Sequence, residues 1–267
     1  MQPMQPLSPT AARTPAPLAD PWVRCHQPRP AARLRLICFH PSGAGSIFYR
    51  EWAQKLPADV EVLAVQLPGR ETRIMEPCLT EYRETVERLH SAVRPYLDRP
   101  YALFGHSLGA LLAYGVALAA QRDGDPAPAR LLVSGSGGPG SVHPKRGRGG
   151  WSEEDLIEDL RTMGGTPEEV LRNRDLLDLI LPVLRADFTI CDTFDDQGRP
   201  QLDCPISVFG GLDDFTGAED LARWESATRA GATVRTYPGG HFFLSEPSPA
   251  APEVLAAVSA DLTAVAG

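Results

Sequence analysis

Short apolar runs alternate with longer stretches of helical periodicity from about residue 33 to the end of the chain. Six apolar runs are typical of strands buried on both faces; they lie at 34–39, 60–67, 101–107, 129–136, 206–211 and 232–238. Helical patterns fall at about 46–56, 80–97, 108–122, 218–230 and 252–265. This alternation predicts right-handed βαβ units and one mostly parallel sheet with helices on both faces.

The segment from about 141 to 200 interrupts this alternation, because it contains helical patterns but no convincing strand. Ser152 and Thr166 are candidate helix N-caps. An apolar stripe at three- and four-residue spacing follows, formed by Leu177, Ile180, Leu181, Leu184 and Phe188. We predict a helical insertion that covers the carboxyl edge of the strands as a lid. A helical subdomain that only adds core is the alternative.

The composition favours a single domain and argues against nucleic acid as a partner. The chain has 267 residues, of which 43% are hydrophobic, enough for one domain with a sizeable core. A net charge of −8 and a pI near 5.3 do not provide the basic surface that nucleic-acid binding needs. No long amphipathic seam is left over, so we expect a monomer.

The N-terminal region is rich in proline, with eight prolines in its first 30 residues. We predict a disordered Pro/Ala-rich tail over residues 1–32 and a folded domain over residues 33–267. The tail lacks the apolar segment of a signal peptide or a membrane span. Five scattered cysteines without a C-x-x-C pair argue against a disulfide framework or a zinc site, and a reducing cytoplasm is the expected location.

A serine between two glycines marks the junction between the third apolar run and the helical pattern after it. The sequence "GHSLG" at 105–109 matches G-x-S-x-G, in which a sharp strand-to-helix turn exposes the serine hydroxyl. Gly105 and Gly109 leave room for that turn. Ser107 is therefore the predicted nucleophile. The N–H of Leu108, at the helix N-terminus, is a predicted donor to the oxyanion of an attacked carbonyl.

A serine nucleophile needs a base within hydrogen-bond reach and an acid that orients this base. His241 lies in "YPGGHFF", a loop after the last predicted strand, and "FGGLDDF" ends the preceding strand with two carboxylates. The order serine, acid, histidine is that of α/β hydrolases. Counting G-x-x-D from Gly211 gives Asp214, the preferred acid, whereas counting from Gly210 gives Asp213.

A second oxyanion donor is normally a backbone N–H of the loop after the first strand. Here that loop is "FHPSGAGSIF", residues 39–48, whose glycines let the backbone approach a substrate closely. Gly43 is the candidate donor and Ser42 the alternative. An ordinary glycine-rich turn is the non-functional interpretation.

With these residues assembled, the chain resembles the type II thioesterases that accompany modular polyketide synthases and nonribosomal peptide synthetases. The resemblance runs from about residue 34 to the end and rests on "CFHPSGAGS", "QLPGRETRIMEP", "FGHSLGALLAY", "MGGTPEEV", "LPVLRADF", "FGGLDD" and "PGGHFFL". It supports Asp214 as the acid. The family's first loop usually reads F-P-H-A-G-G, whereas this chain has "FHPSGAG", and alignment on Pro41 places Gly43 at the oxyanion position.

The resemblance implies an α/β-hydrolase fold and a free-standing serine thioesterase. Such an enzyme removes acyl groups from the phosphopantetheine arm of acyl or peptidyl carrier proteins and so clears stalled or misprimed synthases. Ser107, Asp214 and His241 would form its catalytic triad. No metal and no organic cofactor are implied, since the substrate is carried on the phosphopantetheine of the partner protein.

A short basic run opens the insertion of this otherwise acidic chain. "HPKRGRGG", residues 143–150, contains Lys145, Arg146 and Arg148. These side chains can bind the acidic surface of a carrier protein or the phosphate of its arm. A solvated loop is the alternative.

Three other functions are compatible with the same sequence. A chain-releasing thioesterase or an acyltransferase uses the same triad, and a general esterase would act on small oxygen esters. A non-catalytic binding module could keep the fold, but the intact set of Ser107, His241 and an aspartate pair argues against it.

Overall fold

Seven strands form one sheet in the computed structural model of the protein, which describes residues 21–141, 145–195, 198–245 and 247–266. The strands are β1 (Val23–Arg24), β2 (Leu34–Phe39), β3 (Val60–Val65), β4 (Tyr101–His106), β5 (Arg130–Ser134), β6 (Ile206–Gly211) and β7 (Ala232–Tyr237). Their order in the sheet is β1-β3-β2-β4-β5-β6-β7. All neighbours are parallel except β1 and β3.

Helices cover both faces of this sheet. They are α1 (Trp52–Lys55), α2 (Tyr82–Val93), α3 (Leu108–Asp123), α4 (Glu153–Met163), α5 (Glu168–Leu171), α6 (Arg174–Asp192), α7 (Ala218–Ala222) and α8 (Ala251–Ala266). Short 3₁₀ turns lie at Ser46–Tyr49, Glu71–Arg73, Arg94–Tyr96, Arg148–Gly150 and Arg223–Ala227. None of the helices in the described ranges has the length and apolar character of a membrane span.

Alternate residues of the central strands enter two separate cores, which explains why these strands read as continuous apolar runs. Ile37 of β2 and Leu103 of β4 pack with α2 and α3 on one face. Cys38 of β2 and Phe104 of β4 pack with α8 on the other face. The predicted mostly parallel sheet with two helical layers is therefore confirmed.

The six predicted strands are all present, but two of the predicted helices are broken. The helical pattern at 46–56 forms a 3₁₀ turn and the short helix α1. Leu56 is extended (ψ 156°) and precedes Pro57. The helical conformation is disfavoured for a residue that precedes proline, because it clashes with the proline ring. The pattern at 218–230 likewise divides into α7 and a 3₁₀ turn, which ends where Thr228 becomes extended.

Residues 21–32 belong to the fold, which corrects the predicted domain boundary at residue 33. Val23 and Arg24 pair with β3 as an antiparallel edge strand. Arg29 donates to the carbonyl oxygens of Pro57 and Val60 at 2.5 and 3.0 Å. The remainder of the predicted tail, residues 1–20, lies outside the described residues.

The predicted helical insertion lies between β5 and β6 and consists mainly of α4, α5 and α6. Ser152 caps α4 as predicted, since its hydroxyl accepts the Asp155 N–H at 3.1 Å. The N-cap of α5 is Pro167, one residue after the predicted Thr166. The apolar stripe of α6 packs with α4 and α5 in a third core, separate from the two cores of the sheet.

Candidate active site

Ser107 connects β4 to α3 in a tight turn at the carboxyl edge of the sheet. Its φ of 56° and ψ of −120° are strained for a residue with a side chain. The Ser107 N–H donates to the Ser134 carbonyl of β5 at 2.8 Å. A Cβ on Gly105 would lie 2.0 Å from the Gly109 carbonyl oxygen, and a Cβ on Gly109 would lie 2.0 Å from the Phe39 carbonyl oxygen. Only glycine fits at either flank of this turn.

The strand order places this turn where ligands bind in α/β sheets. β3 lies beyond β2 on one side, and β5 lies beyond β4 on the other, so the order of connection reverses between β2 and β4. Loops diverge at such a switch point and leave a crevice at the carboxyl ends of the strands. The loop after β2 and Ser107 border one cavity there.

His241 lies in the loop after β7 and is almost fully buried. Its Nδ1 is 3.1 and 3.0 Å from the two carboxylate oxygens of Asp214, whose side chain has no exposed surface. Because the carboxylate is an acceptor, this contact assigns the proton to Nδ1 and leaves Nε2 as an acceptor. Nε2 is buried and has no partner among the described residues. This nitrogen can therefore act as a general base.

The structure separates the two candidate acids. Asp214 contacts His241, whereas Asp213 is exposed and uses its backbone N–H to bind the Gly239 carbonyl at 3.0 Å. A Cβ on Gly211 would lie 2.6 Å from the carbonyl oxygens of both Gly239 and Gly240. The end of β6 and the His241 loop are therefore in close backbone contact, and this contact places the histidine over Asp214.

A cavity of about 290 Å³ opens beside Ser107 and His241. Apolar side chains of the insertion line it, namely Leu160, Met163, Val170, Ile180, Leu184 and Phe188. A Cβ on Gly165 would lie 2.5 Å from the ring of Phe242, the neighbour of His241. The insertion therefore covers the site, as predicted, and supplies most of its apolar surface.

The two predicted oxyanion donors differ in their surroundings. Leu108 is the first residue of α3, so its N–H is one of the amides without an intrahelical acceptor. The Gly43 N–H, in contrast, donates to Oδ2 of Asp187 at 2.8 Å, so the prediction of Gly43 as the second donor is wrong in this structure. Ser42, the alternative, lines the cavity, and its N–H makes no backbone hydrogen bond within the described residues.

Arg70 and Asp187 form a buried ion pair next to the loop after β2. The sequence analysis did not predict this pair. Burial opposes the charge of Arg70, but the Asp187 carboxylate more than offsets this effect and raises the pKa of Arg70. A signal was present in the sequence, because Asp187 lies on the apolar stripe of α6 beside Phe188. A charge on a buried helical face needs a partner.

Two further histidines are buried beside the site. Nδ1 of His106 lies 3.0 Å from the Ser134 hydroxyl, and its ring centroid is 4.9 Å from that of His241. Burial lowers the pKa of His106. Burial and the nearby Arg70 charge lower the pKa of His40 to about 4. Both rings are therefore neutral near pH 7. In the described ranges no group of three or more His, Cys, Asp or Glu side chains could hold a metal ion.

The predicted docking residues are only partly available to a partner. Lys145 and Arg148 both form ion pairs with Asp159. Arg148 is buried, and its guanidinium lies 4.0 Å from the centroid of the Phe188 ring. It cannot reach a carrier-protein surface, so its predicted docking role is wrong, and it stabilises the insertion instead. Arg146 is exposed and donates to the Asp192 carbonyl at 3.1 Å.

A family model and several known proteins match most of this chain. The model described as thioesterase domain matches residues 34–262. The gramicidin S biosynthesis protein GrsT of Aneurinibacillus migulanus is 37% identical over 81% of this chain and 85% of its own length. RedJ, a thioesterase of the prodiginine biosynthetic pathway in Streptomyces coelicolor, has a TM-score of 0.81 at 36% identity and covers 96% of each chain.

BorB, a type II thioesterase from the borrelidin biosynthetic cluster, has a TM-score of 0.83 at 33% identity and covers 92% of this chain and all (100%) of its own. The range of the family model includes β2 to β7, the turn at Ser107 between β4 and α3 (the elbow), the insertion and the loop that carries His241. This chain therefore belongs to the thioesterase family, among the type II thioesterases of polyketide and nonribosomal peptide pathways, and is a hydrolase of thioesters with the α/β-hydrolase fold.

Proposed function

We propose that this protein is a free-standing serine thioesterase that removes acyl groups from the phosphopantetheine arm of acyl or peptidyl carrier proteins. In this role it clears stalled or misprimed polyketide or nonribosomal peptide synthases. One observation carries the proposal: Ser107 borders the same apolar cavity as His241. The contact of His241 with Asp214 supports it, because this contact leaves Nε2 free to accept a proton. GrsT is a gramicidin S biosynthesis protein and BorB is a type II thioesterase from the borrelidin biosynthetic cluster, and these names support the choice of a partner from a biosynthetic pathway.

Acylation follows from these positions. Oγ of Ser107 attacks the thioester carbonyl carbon while Nε2 of His241 takes the hydroxyl proton. The N–H groups of Leu108 and Ser42 stabilise the negative charge on the carbonyl oxygen, and Asp214 stabilises the imidazolium. The C–S bond then breaks, and His241 gives its proton to the sulfur, so the pantetheine arm leaves as a thiol.

Deacylation uses the same groups, but water is now the nucleophile and Oγ of Ser107 is the leaving group. Nε2 of His241 takes a proton from water, and the resulting hydroxide equivalent attacks the acyl-serine carbonyl. The ester bond breaks, the proton returns to Oγ of Ser107, and the acid is released. The apolar lining of the cavity stabilises the acyl chain through both steps. The proposed route uses no metal and no organic cofactor.

We place carrier-protein recognition at the start of the insertion. Arg146 is exposed, and Nζ of Lys145 lies 5.4 Å from the centroid of the Phe215 ring. Phe215 in turn stacks on His241, with ring centroids 4.7 Å apart. Positive charge therefore lies next to the site, where the phosphate of the arm or the acidic surface of a carrier protein would approach.

Single-turnover hydrolysis of acetyl- and propionyl-phosphopantetheinyl carrier protein tests the proposal. The wild type and Ser107→Ala are compared on these substrates, on the matching pantetheine thioester and on a p-nitrophenyl ester. We expect Ser107-dependent release that is faster from the carrier protein than from the free thioester. Equal or faster turnover of the free esters would indicate a general esterase. Acyl transfer to an alcohol or amine in place of water would indicate a transferase.

A further inference from the structure

The Arg70–Asp187 pair connects the insertion to the segment between β3 and α2, and it lies next to the loop after β2. Asp187 lies on α6, and Arg70 lies between β3 and α2. The guanidinium binds both carboxylate oxygens, with Nη1–Oδ2 and Nη2–Oδ1 distances of 2.8 Å each. The two side chains are 7% and 0% exposed. A buried two-point pair of this kind holds its partners in one orientation.

Both members of this pair also bind the backbone of the loop after β2. Oδ2 of Asp187 accepts the Gly43 N–H at 2.8 Å, and Nη1 of Arg70 donates to the Ala44 carbonyl at 2.9 Å. Two successive residues of the loop are therefore fixed through one donor and one acceptor. The carboxylate therefore accepts from a third N–H group, which a simple two-point ion pair does not require.

The hydrogen bond between Asp187 and the Gly43 N–H fixes the backbone conformation of the loop after β2. The Ala44 N–H donates to the Pro41 carbonyl at 3.2 Å, so residues 41–44 form a β-turn. Gly43, the third residue of this turn, has a φ of +76°, as type II turns require. Rotation of the peptide between Ser42 and Gly43 would convert the turn to another type. Asp187 opposes that rotation, because it binds the N–H of this peptide.

We propose that Asp187 is a positioning residue that sets the oxyanion hole through Gly43 and Arg70. It holds the turn that contains Ser42, a residue that lines the cavity, and the Ser42 N–H acts there with the Leu108 N–H. The loop is already close to the elbow, since a Cβ on Gly109 would lie 2.0 Å from the Phe39 carbonyl oxygen and 2.9 Å from that of His40. This inference rests on the proposed function of Ser107.

The same contacts make the oxyanion hole depend on the position of α6. A Cβ on Gly43 would lie 2.7 Å from Cδ2 of Leu184, one turn before Asp187 on the same helix. The helix thus lines the acyl cavity with Leu184 and orients the loop with Asp187. Binding of an acyl chain against α6 and alignment of the second donor are coupled through these two side chains.

Asp187→Asn tests the inference, since the amide keeps the shape of the carboxylate but loses its charge and replaces one acceptor oxygen by an NH2 group. That NH2 group must face an N–H of Arg70 or of Gly43, donor against donor. Loss of one oxyanion donor typically lowers kcat by about 10²- to 10³-fold. For a donor that is displaced rather than lost, we expect kcat to fall by about 10- to 100-fold, with KM nearly unchanged. Affinity for a trifluoromethyl ketone, which forms a tetrahedral oxyanion adduct with the serine, should fall in parallel with kcat.

Asp261→Asn is the matched control. Asp261 of α8 forms a two-point pair of the same geometry, though less buried, with Arg235, with distances of 2.8 and 2.9 Å, and neither residue lines the cavity. This variant should lose stability but keep kcat. Arg70→Lys, which keeps the charge but cannot form a fork, provides a second test and should reproduce the fall in kcat of Asp187→Asn.

An unchanged kcat in folded Asp187→Asn, or an equal fall in Asp261→Asn, would overturn the inference. So would a rise in kcat, which is expected if Asp187 merely keeps the Gly43 N–H away from the oxyanion. All variants are assayed on both the pantetheine thioester and the p-nitrophenyl ester. If the wild type cleaves only the oxygen ester, the proposed function fails, whereas the ratio of variant to wild type on that ester still tests the role of Asp187.

Discussion

At the scale of single residues, adjacent side chains of the same type have different environments. Asp213 and Asp214 follow β6 directly, but only the Asp214 side chain is fully buried against His241. Asp213 is exposed and contributes a backbone hydrogen bond to the histidine loop. The two residues therefore provide a matched pair for testing the assignment of the acid.

Asp214→Asn should lower kcat by about 10³- to 10⁴-fold, because an amide at this position favours the wrong tautomer of His241. Asp213→Asn should remain close to wild type, since its backbone N–H is unchanged. Steady-state hydrolysis of the pantetheine thioester measures both effects, and thermal unfolding verifies that both variants fold. A large fall for Asp213→Asn with little change for Asp214→Asn would reverse the assignment.

The sequence was sufficient to predict the residues of the elbow and the histidine loop, but not the oxyanion loop. Ser107 and His241 lie in short motifs whose spacing determines their positions. The state of the Gly43 N–H depends on Asp187, which is 144 residues away along the chain. No local pattern reports a hydrogen bond between such distant segments, so the choice between Gly43 and Ser42 required the structure.

At the scale of secondary-structure elements, the sequence predicted the elements with long apolar patterns correctly, but it did not predict the short ones. The strands of the central sheet carry a continuous apolar signal, as does the stripe of α6, and all of these are present. β1 has only two residues, too few for any periodicity. The sequence pattern therefore assigned this segment to the disordered tail, although it pairs with β3. The break before Pro57 shows how one proline ends a helix that periodicity alone would continue.

The helix α6 lines part of the cavity beside Ser107, and two of its neighbouring residues can test the proposal that an acyl chain binds there. Ile180 lines the cavity, whereas Leu179 is 55% exposed. Ile180→Trp should fill part of the cavity and lower kcat/KM for octanoyl thioester by about 10-fold or more relative to acetyl thioester, since a pocket discriminates by at least this factor per methylene-sized change. Leu179→Trp should leave this ratio unchanged.

Competition between acetyl- and octanoyl-pantetheine in a single reaction measures the ratio directly. An equal effect of Ile180→Trp on both substrates would place the acyl chain outside this cavity. If both Trp variants gave the same ratio of octanoyl to acetyl turnover, the residues of α6 that line the cavity would not select the acyl chain.

At the scale of the whole molecule, the acidic surface makes exposed positive charge near the site important for a partner. The chain has a net charge of −8, so an acidic carrier protein is repelled except where a basic side chain is exposed. Arg146 lies at such a position, at the start of the insertion.

Arg146→Glu should raise KM for acyl-carrier protein, while kinetics on the pantetheine thioester stay unchanged. Arg88→Glu is the control, because Arg88 is also exposed but lies on α2, where it pairs with Glu84. The difference in KM should shrink at high salt, since exposed charges are screened. Equal changes on carrier protein and free thioester would contradict docking at Arg146, as would equal changes for both variants.

Two buried neutral histidines make the stability of the whole fold depend on pH. His40 has a pKa of about 4 in the folded protein, caused first by burial and then by Arg70, against about 6.5 in an unfolded chain. Between these values the unfolded state binds a proton that the folded state does not. Stability is therefore complete above about pH 6.5 and falls as the pH is lowered toward 4. Burial of His106, whose pKa is also lowered, acts in the same direction.

His40→Gln isolates the contribution of one of these groups. The amide of glutamine can replace the Nδ1 contact with the Pro41 carbonyl, which is 2.9 Å in length, but it does not titrate. Between pH 6.5 and 4, the free energy of unfolding should fall by about 3 kcal/mol more in the wild type than in this variant. Urea unfolding at pH 6.5, 6, 5 and 4 measures the two curves. Because His106 and the carboxylates are common to both proteins, their effects cancel in the difference, and parallel curves would show that His40 is protonated within the fold.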